Sequence, residues 1–117
     1  MGQFTTIEKQ GRVAIVRFNR GDKLNALSVA AMRELTEVAR SFEDDLDTSA
    51  IVLTGADKFF SAGADLTDPE IATRKDKGLM ARRHALKVGP DMCDAWERLE
   101  QITICAVEGF CIGGGSA

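Results

Sequence analysis

The sequence predicts an α/β domain in which strands alternate with helices and pair in parallel. Three observations predict this fold class. A hairpin pattern fills residues 5–20, an amphipathic helix pattern fills residues 29–42, and two short apolar runs, at residues 50–55 and 102–109, each end in glycine. Strands that alternate with helices along a chain are typical of parallel βαβ units.

Residues 5–20, TTIEKQGRVAIVRFNR, predict a β-hairpin. Apolar and polar residues alternate around Gly11, and Gln10-Gly11 is the expected turn because glycine adopts a positive φ without steric cost. The polar loop NRGDKLNAL follows the hairpin. Ser28 stands at the end of this loop, where its hydroxyl can accept a backbone hydrogen bond and cap the next helix.

Residues 29–42 predict an amphipathic helix. Apolar residues recur there every three to four positions, which is the spacing of one helix face. An acidic turn, DDLDTS, then leads to the first apolar run, AIVLTG. The charged residues of the helix are expected to face solvent: Arg33, Glu34, Glu37 and Arg40.

The two apolar runs predict strands that are covered on both faces. A long charged stretch, residues 67–101, separates them, and its later part has helical spacing. Gly89-Pro90 is expected to interrupt that helix, because proline disfavours a helical conformation in the residue before it. Three glycines at residues 113–115 follow the second run, where another helix is expected to begin.

The composition fits one globular domain. The chain has 117 residues, of which 44% are hydrophobic and 28% charged, and its net charge is −3. It contains neither a basic run with interleaved aromatics nor an apolar run long enough for a bilayer, so neither nucleic acid nor a membrane is the expected partner. The three cysteines lack metal-ligand spacing, which predicts buried thiols in a reducing cytoplasm and no metal site: Cys93, Cys105 and Cys111.

Two segments of small residues could each present a backbone N–H group to a ligand. In FFSAGADL, residues 59–66, Gly63 permits a positive φ and its small neighbours let a ligand approach the main chain. In GFCIGGGSA, residues 109–117, the glycines open a predicted helix whose first N–H groups lack intrahelical acceptors and favour negative charge. Two such donors that converge on one oxygen would stabilise an enolate or a tetrahedral oxyanion. For either segment alone, an ordinary turn is the alternative.

Other chemistries have little support in the sequence. The single histidine, His84, lies in a charged helical stretch and is expected at the surface or at a pocket rim. Ser61 and Ser116 lack the GxSxG surroundings of a nucleophile elbow. The glycine run is neither a GxGxxG dinucleotide fingerprint nor a P-loop, because it lacks both the spacing and the lysine.

Together, the segments NRGDKLNALS, AIVLTGADKFFSAGADL and AVEGFCIGGG resemble the crotonase superfamily, the enoyl-CoA hydratase/isomerase group. The resemblance implies that residues 1–117 are the N-terminal part of a single crotonase-like α/β domain, an incomplete ββα spiral. It further implies an enzyme of fatty acid metabolism that acts on an acyl-CoA thioester without another cofactor, in the cytoplasm that the cysteines already indicate. Homotrimers or dimers of trimers are the assemblies that it implies.

The same resemblance implies a set of site residues. The two backbone amides that hold the thioester carbonyl in the family match Ala64 and Gly114. Lys23 could meet a CoA phosphate as a point charge, or it could be a solvated loop lysine. The positions that match CoA contacts lie on the first loop and on the SAGADL turn: Lys23, Leu24, Ala26, Ala62, Asp65 and Leu66.

One departure from the family pattern concerns proton transfer. The position of the first hydratase glutamate is Ala117, which cannot move a proton, and the second lies beyond the chain. Hydration is therefore one hypothesis, and an isomerase, hydrolase or decarboxylase of the same fold, or a non-catalytic acyl-CoA-binding protein, are alternatives. A plain structural α/β domain is a third view. No acid or base is distinguished among the carboxylates expected over the acyl pocket: Asp68, Glu70 and Asp91.

Family members are considerably longer than this chain. The sequence is therefore expected to be a fragment of a longer protein, whose remaining part would complete the acyl pocket and the subunit contacts.

Overall fold

The computed structural model describes residues 4–20, 25–55, 59–65, 67–68, 70, 78–111 and 113–116. Within these ranges the predicted alternation of strands and helices is confirmed. The elements are β1 (Thr5–Gln10), β2 (Val13–Phe18), α1 (Val29–Phe42), β3 (Ala50–Thr54), α2 (Leu79–Ala85), α3 (Val88–Glu97), β4 (Ile102–Ala106) and a 3₁₀ helix (Gly113–Ser116).

The strands in the described part of the chain form one sheet in the order β1-β2-β3-β4. β1 and β2 pair antiparallel as the predicted hairpin, whereas β2 with β3 and β3 with β4 pair in parallel. The carboxyl ends of β2, β3 and β4 therefore lie at one edge of the sheet. The loop after β2, the SAGADL turn after β3 and the glycine run after β4 all begin at that edge.

The hairpin turn falls one residue later than the sequence predicts. Gln10 pairs with Val13, so the turn residues are Gly11 and Arg12. Gly11 has a φ of +61°, and a positive φ at the first turn position is typical of the type II′ turns that join twisted strands.

Helix α1 begins as its cap predicts. The Ser28 hydroxyl accepts a hydrogen bond from the Ala31 N–H at 3.1 Å. The expectation that all four charged residues face solvent is wrong for Glu34, which is half-buried. Its carboxylate accepts hydrogen bonds from the Phe4 N–H at 3.1 Å and the Thr5 hydroxyl at 2.7 Å, because α1 packs beside the start of β1.

Two buried clusters join the helices to the sheet. Helix α3 is tied to α1 by the Trp96 indole N–H, which donates to the Leu35 carbonyl at 3.0 Å. The first cluster packs α1 on β2 and β3, through Ala14, Val16, Val38, Phe42 and Ile51. The second lies toward the carboxyl edge of the sheet, through Phe18, Leu27, Leu35, Phe60 and Met92.

The predicted helix break at Gly89-Pro90 is wrong. Helix α2 ends at Ala85 and α3 begins at Val88, so Gly89 and Pro90 lie in the first turn of α3. A proline is accepted there because the first N–H groups of a helix have no intrahelical acceptor to lose.

The prediction that residues 102–109 form a strand covered on both faces is also wrong. Every residue of β4 is exposed, with Ile102 at 67% and Ile104 at 50%. Among the described residues β4 is the edge strand of the sheet, and its Thr103 and Cys105 face borders an open cavity rather than packed side chains. For β3 the predicted burial is closer to the structure, since Ile51 is fully buried and its neighbours are half-buried.

The thiols are less buried than predicted. Cys105 is exposed, while Cys93 and Cys111 are half-buried, because all three border an open cavity that is described below. No helix in the described ranges is both long and apolar enough to cross a membrane.

Candidate active site

The loop after β2 and the SAGADL turn are joined by a short parallel bridge. The Leu27 N–H donates to the Gly63 carbonyl at 2.6 Å, and the Asp65 N–H donates to the Leu27 carbonyl at 3.0 Å. In a parallel bridge of this kind the N–H of the central residue, Ala64, points away from the partner strand. Ala64 is exposed, and no described residue accepts a hydrogen bond from its N–H.

Ser61 holds the SAGADL turn from inside. Its hydroxyl donates to the Asn25 carbonyl at 2.8 Å and accepts from the Gly63 N–H at 3.1 Å. The residue is fully buried. Ser61 is therefore a structural link between the two loops, which agrees with the sequence prediction of a turn residue rather than a nucleophile.

Asn25 is the main link that sequence reasoning missed. Its side-chain NH₂ group donates to the Phe59 and Phe60 carbonyls at 3.3 and 3.1 Å, and its side-chain oxygen, Oδ1, accepts from the Arg20 N–H at 3.1 Å. The residue is 1% exposed and has a φ of +53°, in the left-handed region that asparagine tolerates better than most side chains. An asparagine within a loop of small and apolar residues, LNALS, was the available signal.

A partly buried ion pair links the loop after β2 to the SAGADL turn. The Arg20 guanidinium lies 2.8 Å from the Asp65 carboxylate, with side-chain exposures of 17% and 6%. Arg20 also donates to the Ala26 carbonyl at 2.8 Å. The other Asp65 carboxylate oxygen accepts from the Thr67 hydroxyl at 2.7 Å and the Thr67 N–H at 3.0 Å. The carboxylate of Asp65 is thus occupied by groups of the protein itself.

These contacts lower the pKa of Asp65. The Thr67 hydroxyl contributes most, the Thr67 N–H and Arg20 add to it, and burial opposes them. A carboxyl whose pKa is lower in the folded state stabilises the fold above its unfolded pKa of about 3.9 and loses that contribution as pH falls further.

We expect Asp65→Asn to reduce the free energy of unfolding at neutral pH, because the carboxylate that faces Arg20 loses its charge. The deficit should shrink as pH falls below about 4, because the unfolded wild-type chain then binds a proton that the folded carboxylate, with its lower pKa, does not, and the wild-type protein loses stability. Urea unfolding between neutral and acidic pH measures the difference. Asp45→Asn is the comparison variant outside this junction: the Thr48 hydroxyl also lowers the pKa of Asp45, but that side chain is more exposed, so its pH-dependent deficit should be smaller. A deficit of equal size at every pH would contradict the assignment.

The glycine run packs directly on the SAGADL turn. The Phe60 N–H donates to the Phe110 carbonyl at 3.1 Å, and Ser61 forms a parallel bridge with Cys111. A Cβ placed on Gly115 would lie 2.7 Å from the Ser61 Cβ, which is closer than real Cβ atoms approach. Glycine is therefore required at residue 115 for the two segments to touch.

A second contact lies on the other side of Gly114. Gly113, with a φ of +54°, would place a Cβ 4.0 Å from the Gly63 Cα. Gly114 thus lies in the 3₁₀ helix between two glycines that both face the SAGADL turn. The structure brings together the two small-residue segments that the sequence singled out.

An apolar cavity of about 580 Å³ borders this junction. It lies between the helix layer and the β2-β3-β4 part of the sheet, and it reaches Cys111 and Gly115. Its lining is mainly apolar, with Phe18, Leu27, Leu35, Leu53, Phe60, Met92, Trp96 and Val107.

The structure describes only some of the predicted site residues. Lys23, Leu24, Leu66 and Ala117 lie outside the described residues. Among the remaining predicted CoA contacts, Ala62 is half-buried, while Ala26 and Asp65 are buried.

The carboxylates considered as acids or bases have structural partners or lie elsewhere. Asp68 accepts from the Val29 N–H at 2.8 Å and so caps α1 from a distant loop. Glu70 pairs with Arg33 at 3.1 Å. His84 and Asp91 border a separate surface groove between α1 and α3. In the described part of the chain, no group of three or more His, Cys, Asp or Glu residues is arranged to hold a metal ion.

Sequence comparisons match this chain to one family of known proteins. A sequence model of the enoyl-CoA hydratase/isomerase family matches residues 8–117. The chain is 36% identical over 114 residues to a probable mitochondrial enoyl-CoA hydratase of Dictyostelium discoideum, covering 95% of this chain and 38% of that protein. It is 37% identical over 110 residues to the short-chain-enoyl-CoA hydratase of Clostridium acetobutylicum, covering 93% and 40%.

Solved structures share the fold. AtuE of Pseudomonas aeruginosa superposes with a TM-score of 0.87 at 31% identity, covering 96% of this chain and 43% of that one. An enoyl-CoA hydratase/isomerase from Marinobacter aquaeolei superposes with a TM-score of 0.89 at 26% identity, covering 97% and 44%. The chain spans about two fifths of the length of the curated relatives it matches.

Proposed function

Because this chain belongs to the enoyl-CoA hydratase/isomerase family, we propose that it supplies the oxyanion site of an enzyme that acts on acyl-CoA thioesters. The observation that supports this most directly is the contact between the SAGADL turn and the glycine run. One turn contains the outward-pointing N–H of Ala64, and the other contains Gly114. In this proposal both N–H groups donate to the thioester carbonyl oxygen.

The proposed chemistry is stabilisation of an enolate. Negative charge grows on the thioester oxygen when a nucleophile adds to the β-carbon or when an α-proton leaves. Preorganised donors favour that charged state over the neutral ground state, and the loss of one donor typically costs about 2.7–4 kcal/mol of barrier. The internal hydrogen bonds of Asn25, Ser61 and Asp65 keep the Ala64 turn in place before substrate arrives.

The cavity beside Gly115 is proposed as the acyl pocket. Its volume of about 580 Å³ and its apolar lining suit a short acyl chain. A chain whose carbonyl sits at the glycine run would extend along the face of β4 toward Met92 and Trp96 on α3.

The CoA moiety is proposed to lie along the loop after β2 and the SAGADL turn. Lys23 would meet a phosphate, and Leu24, Ala62 and Leu66 would contribute surface. The buried positions Ala26 and Asp65 would act through the shape of the loop, because the Ala26 carbonyl and the Asp65 carboxylate are bound to Arg20.

The candidate functions differ in whether a proton is transferred and in which residue transfers it. Relatives are described as enoyl-CoA hydratases, so addition of water to a 2-enoyl thioester is the first candidate. Ala117 at the position of one hydratase glutamate favours the second candidate, an acyl-CoA-binding protein or a family enzyme with a different acid or base. Residues 1–117 are proposed as the N-terminal part of one domain of a cytoplasmic homotrimer or dimer of trimers.

A turnover and binding experiment separates these candidates. For the full-length protein that carries this chain, we expect butyryl-CoA to bind in calorimetry and crotonyl-CoA to be consumed in an absorbance assay. Binding without consumption of crotonyl-CoA would favour the second candidate, an acyl-CoA-binding protein or a family enzyme with a different acid or base. If neither thioester binds, the proposal is wrong and a structural domain is the remaining view.

A further inference from the structure

All three cysteines of the chain line the cavity beside the glycine run. They reach it from different elements: Cys93 from α3, Cys105 from β4 and Cys111 from the segment after β4. On β4 the cavity is lined by Thr103 and Cys105, which are two residues apart, so the Cys105 side chain is on the strand face that borders the cavity.

Cys105 and Cys111 lie at the end of the cavity where the carbonyl site is proposed. The Cys111 thiol donates to the Gly115 carbonyl at 3.1 Å, and Cys111 bridges Ser61. Cys105 is near the carboxyl end of β4, at the same edge of the sheet.

We propose that Cys105 is a covalent modification site for α,β-unsaturated carbonyl compounds that enter this cavity. Enoyl thioesters belong to this chemical class, and that part of the inference rests on the proposed function. Small unsaturated carbonyl compounds such as maleimides test the site independently of it.

The reaction is a conjugate addition that needs no oxidant or reductant. The Cys105 thiolate forms a bond to the β-carbon, the carbon–carbon π bond breaks, and its electron pair moves to the carbonyl oxygen as an enolate. The α-carbon then takes up a proton and the carbonyl reforms. The proton that the thiol releases equals the proton that the α-carbon gains, and no group leaves.

The surroundings distinguish Cys105 from the other two thiols. Cys111 uses its S–H in the hydrogen bond to Gly115, and Cys93 is half-buried on the helix side. Cys105 is exposed, although the protein atoms around its sulfur remove part of the hydration and raise its pKa, with Cys111 adding to the increase. The other titratable groups that border the cavity are Cys93 and Glu97. The thiolate is the reactive form, so adducts form slowly at neutral pH and faster as pH rises.

The test is labelling of the full-length protein with N-ethylmaleimide, and separately with crotonyl-CoA, followed by peptide mass spectrometry. We expect Cys105 to be labelled faster than Cys93. Butyryl-CoA, which cannot react, should slow the labelling about tenfold when present at about ten times its Kd. Cys105→Ser should abolish the adduct on that peptide, while the slower labelling of the Cys93 peptide in the same variant serves as the internal control.

The outcomes separate the two proposals. Labelling of Cys105 that is no faster than that of Cys93 overturns the inference. Labelling that butyryl-CoA does not slow, although calorimetry shows it bound, overturns the placement of the thiol in the acyl cavity. If butyryl-CoA does not bind, the proposed function is wrong, and preferential labelling by N-ethylmaleimide alone decides whether Cys105 is a modification site.

Discussion

Gly115→Ala is expected to lower kcat about 100-fold, because a misplacement of about 1 Å at a catalytic site has an effect of that order. The new Cβ would lie 2.7 Å from the Ser61 Cβ and 3.0 Å from the Ser61 carbonyl oxygen. Ser61 cannot move aside easily, since it is fully buried and hydrogen-bonded to Asn25 and Gly63. The glycine run must therefore move away from the SAGADL turn. Steady-state kinetics with the substrate that the full-length protein turns over measures the loss.

Gly89→Ala is the matched control for this change. Gly89 is also a glycine in a helix, but a Cβ there would meet only the Met32 sulfur at 3.9 Å, an ordinary contact. We expect Gly89→Ala to preserve kcat and to raise stability slightly, because alanine favours helix more than glycine does.

A double substitution tests the contact itself. In Ser61→Gly/Gly115→Ala the Cβ atom is transferred from one side of the interface to the other. The effects of Ser61→Gly and of Gly115→Ala on kcat should then be less than additive when the two changes are combined. Strict additivity, or a Gly115→Ala enzyme with the wild-type kcat, would show that the contact between the two turns does not position the reacting groups.

Asn25→Ala is expected to lower the free energy of unfolding by about 3–4 kcal/mol, since a buried polar group left without its partner costs about 1–3 kcal/mol. The change removes the donors to the Phe59 and Phe60 carbonyls and the acceptor of the Arg20 N–H. It also leaves a non-glycine residue without a polar side chain at a φ of +53°. Urea unfolding of the full-length protein measures the loss.

Two further variants divide this loss into its causes. Asn25→Gly removes the same hydrogen bonds but accepts the positive φ, so it should be less destabilising than Asn25→Ala. Gln101→Ala removes comparable hydrogen bonds to the Phe42 and Asp45 carbonyls, outside the junction of the two turns. It should lower stability without changing KM or kcat, whereas Asn25→Gly should change both stability and kcat. An Asn25→Ala protein as stable as the wild type would contradict the role of this side chain.

The local elements were largely predictable because their signals are local. The alternation around Gly11, the Ser28 cap and the apolar spacing over residues 29–42 each act within a few residues, and the structure confirms each with at most a shift of one residue. The misplaced break at Gly89-Pro90 shows the limit of such signals. The same proline ends a helix or begins one, depending on where the first turn falls.

Burial was harder to predict because it depends on neighbours that are distant in sequence. The apolar run at residues 102–109 is typical of a strand covered on both faces. In the structure β4 lies at the edge of the described sheet, and every residue of it is exposed. The sequence pattern places Glu34 on the solvent side of the helix, yet its carboxylate accepts hydrogen bonds from Phe4 and Thr5 at the start of the hairpin. The three cysteines share a cavity although they lie on three different segments.

By itself, the sequence determined the order of strands and helices, the family of the chain and the two segments of small residues that the proposed site uses. These follow from hydrophobic spacing, from the conformations that glycine permits and from motif order, all of which are properties of the linear chain. Only the tertiary structure decided that the two segments touch, that Asn25, Ser61 and the Arg20–Asp65 pair hold them, and which side chains line the cavity. Parallel pairing is the reason, because it gathers the ends of β2, β3 and β4 at one edge and joins residues that lie far apart in sequence.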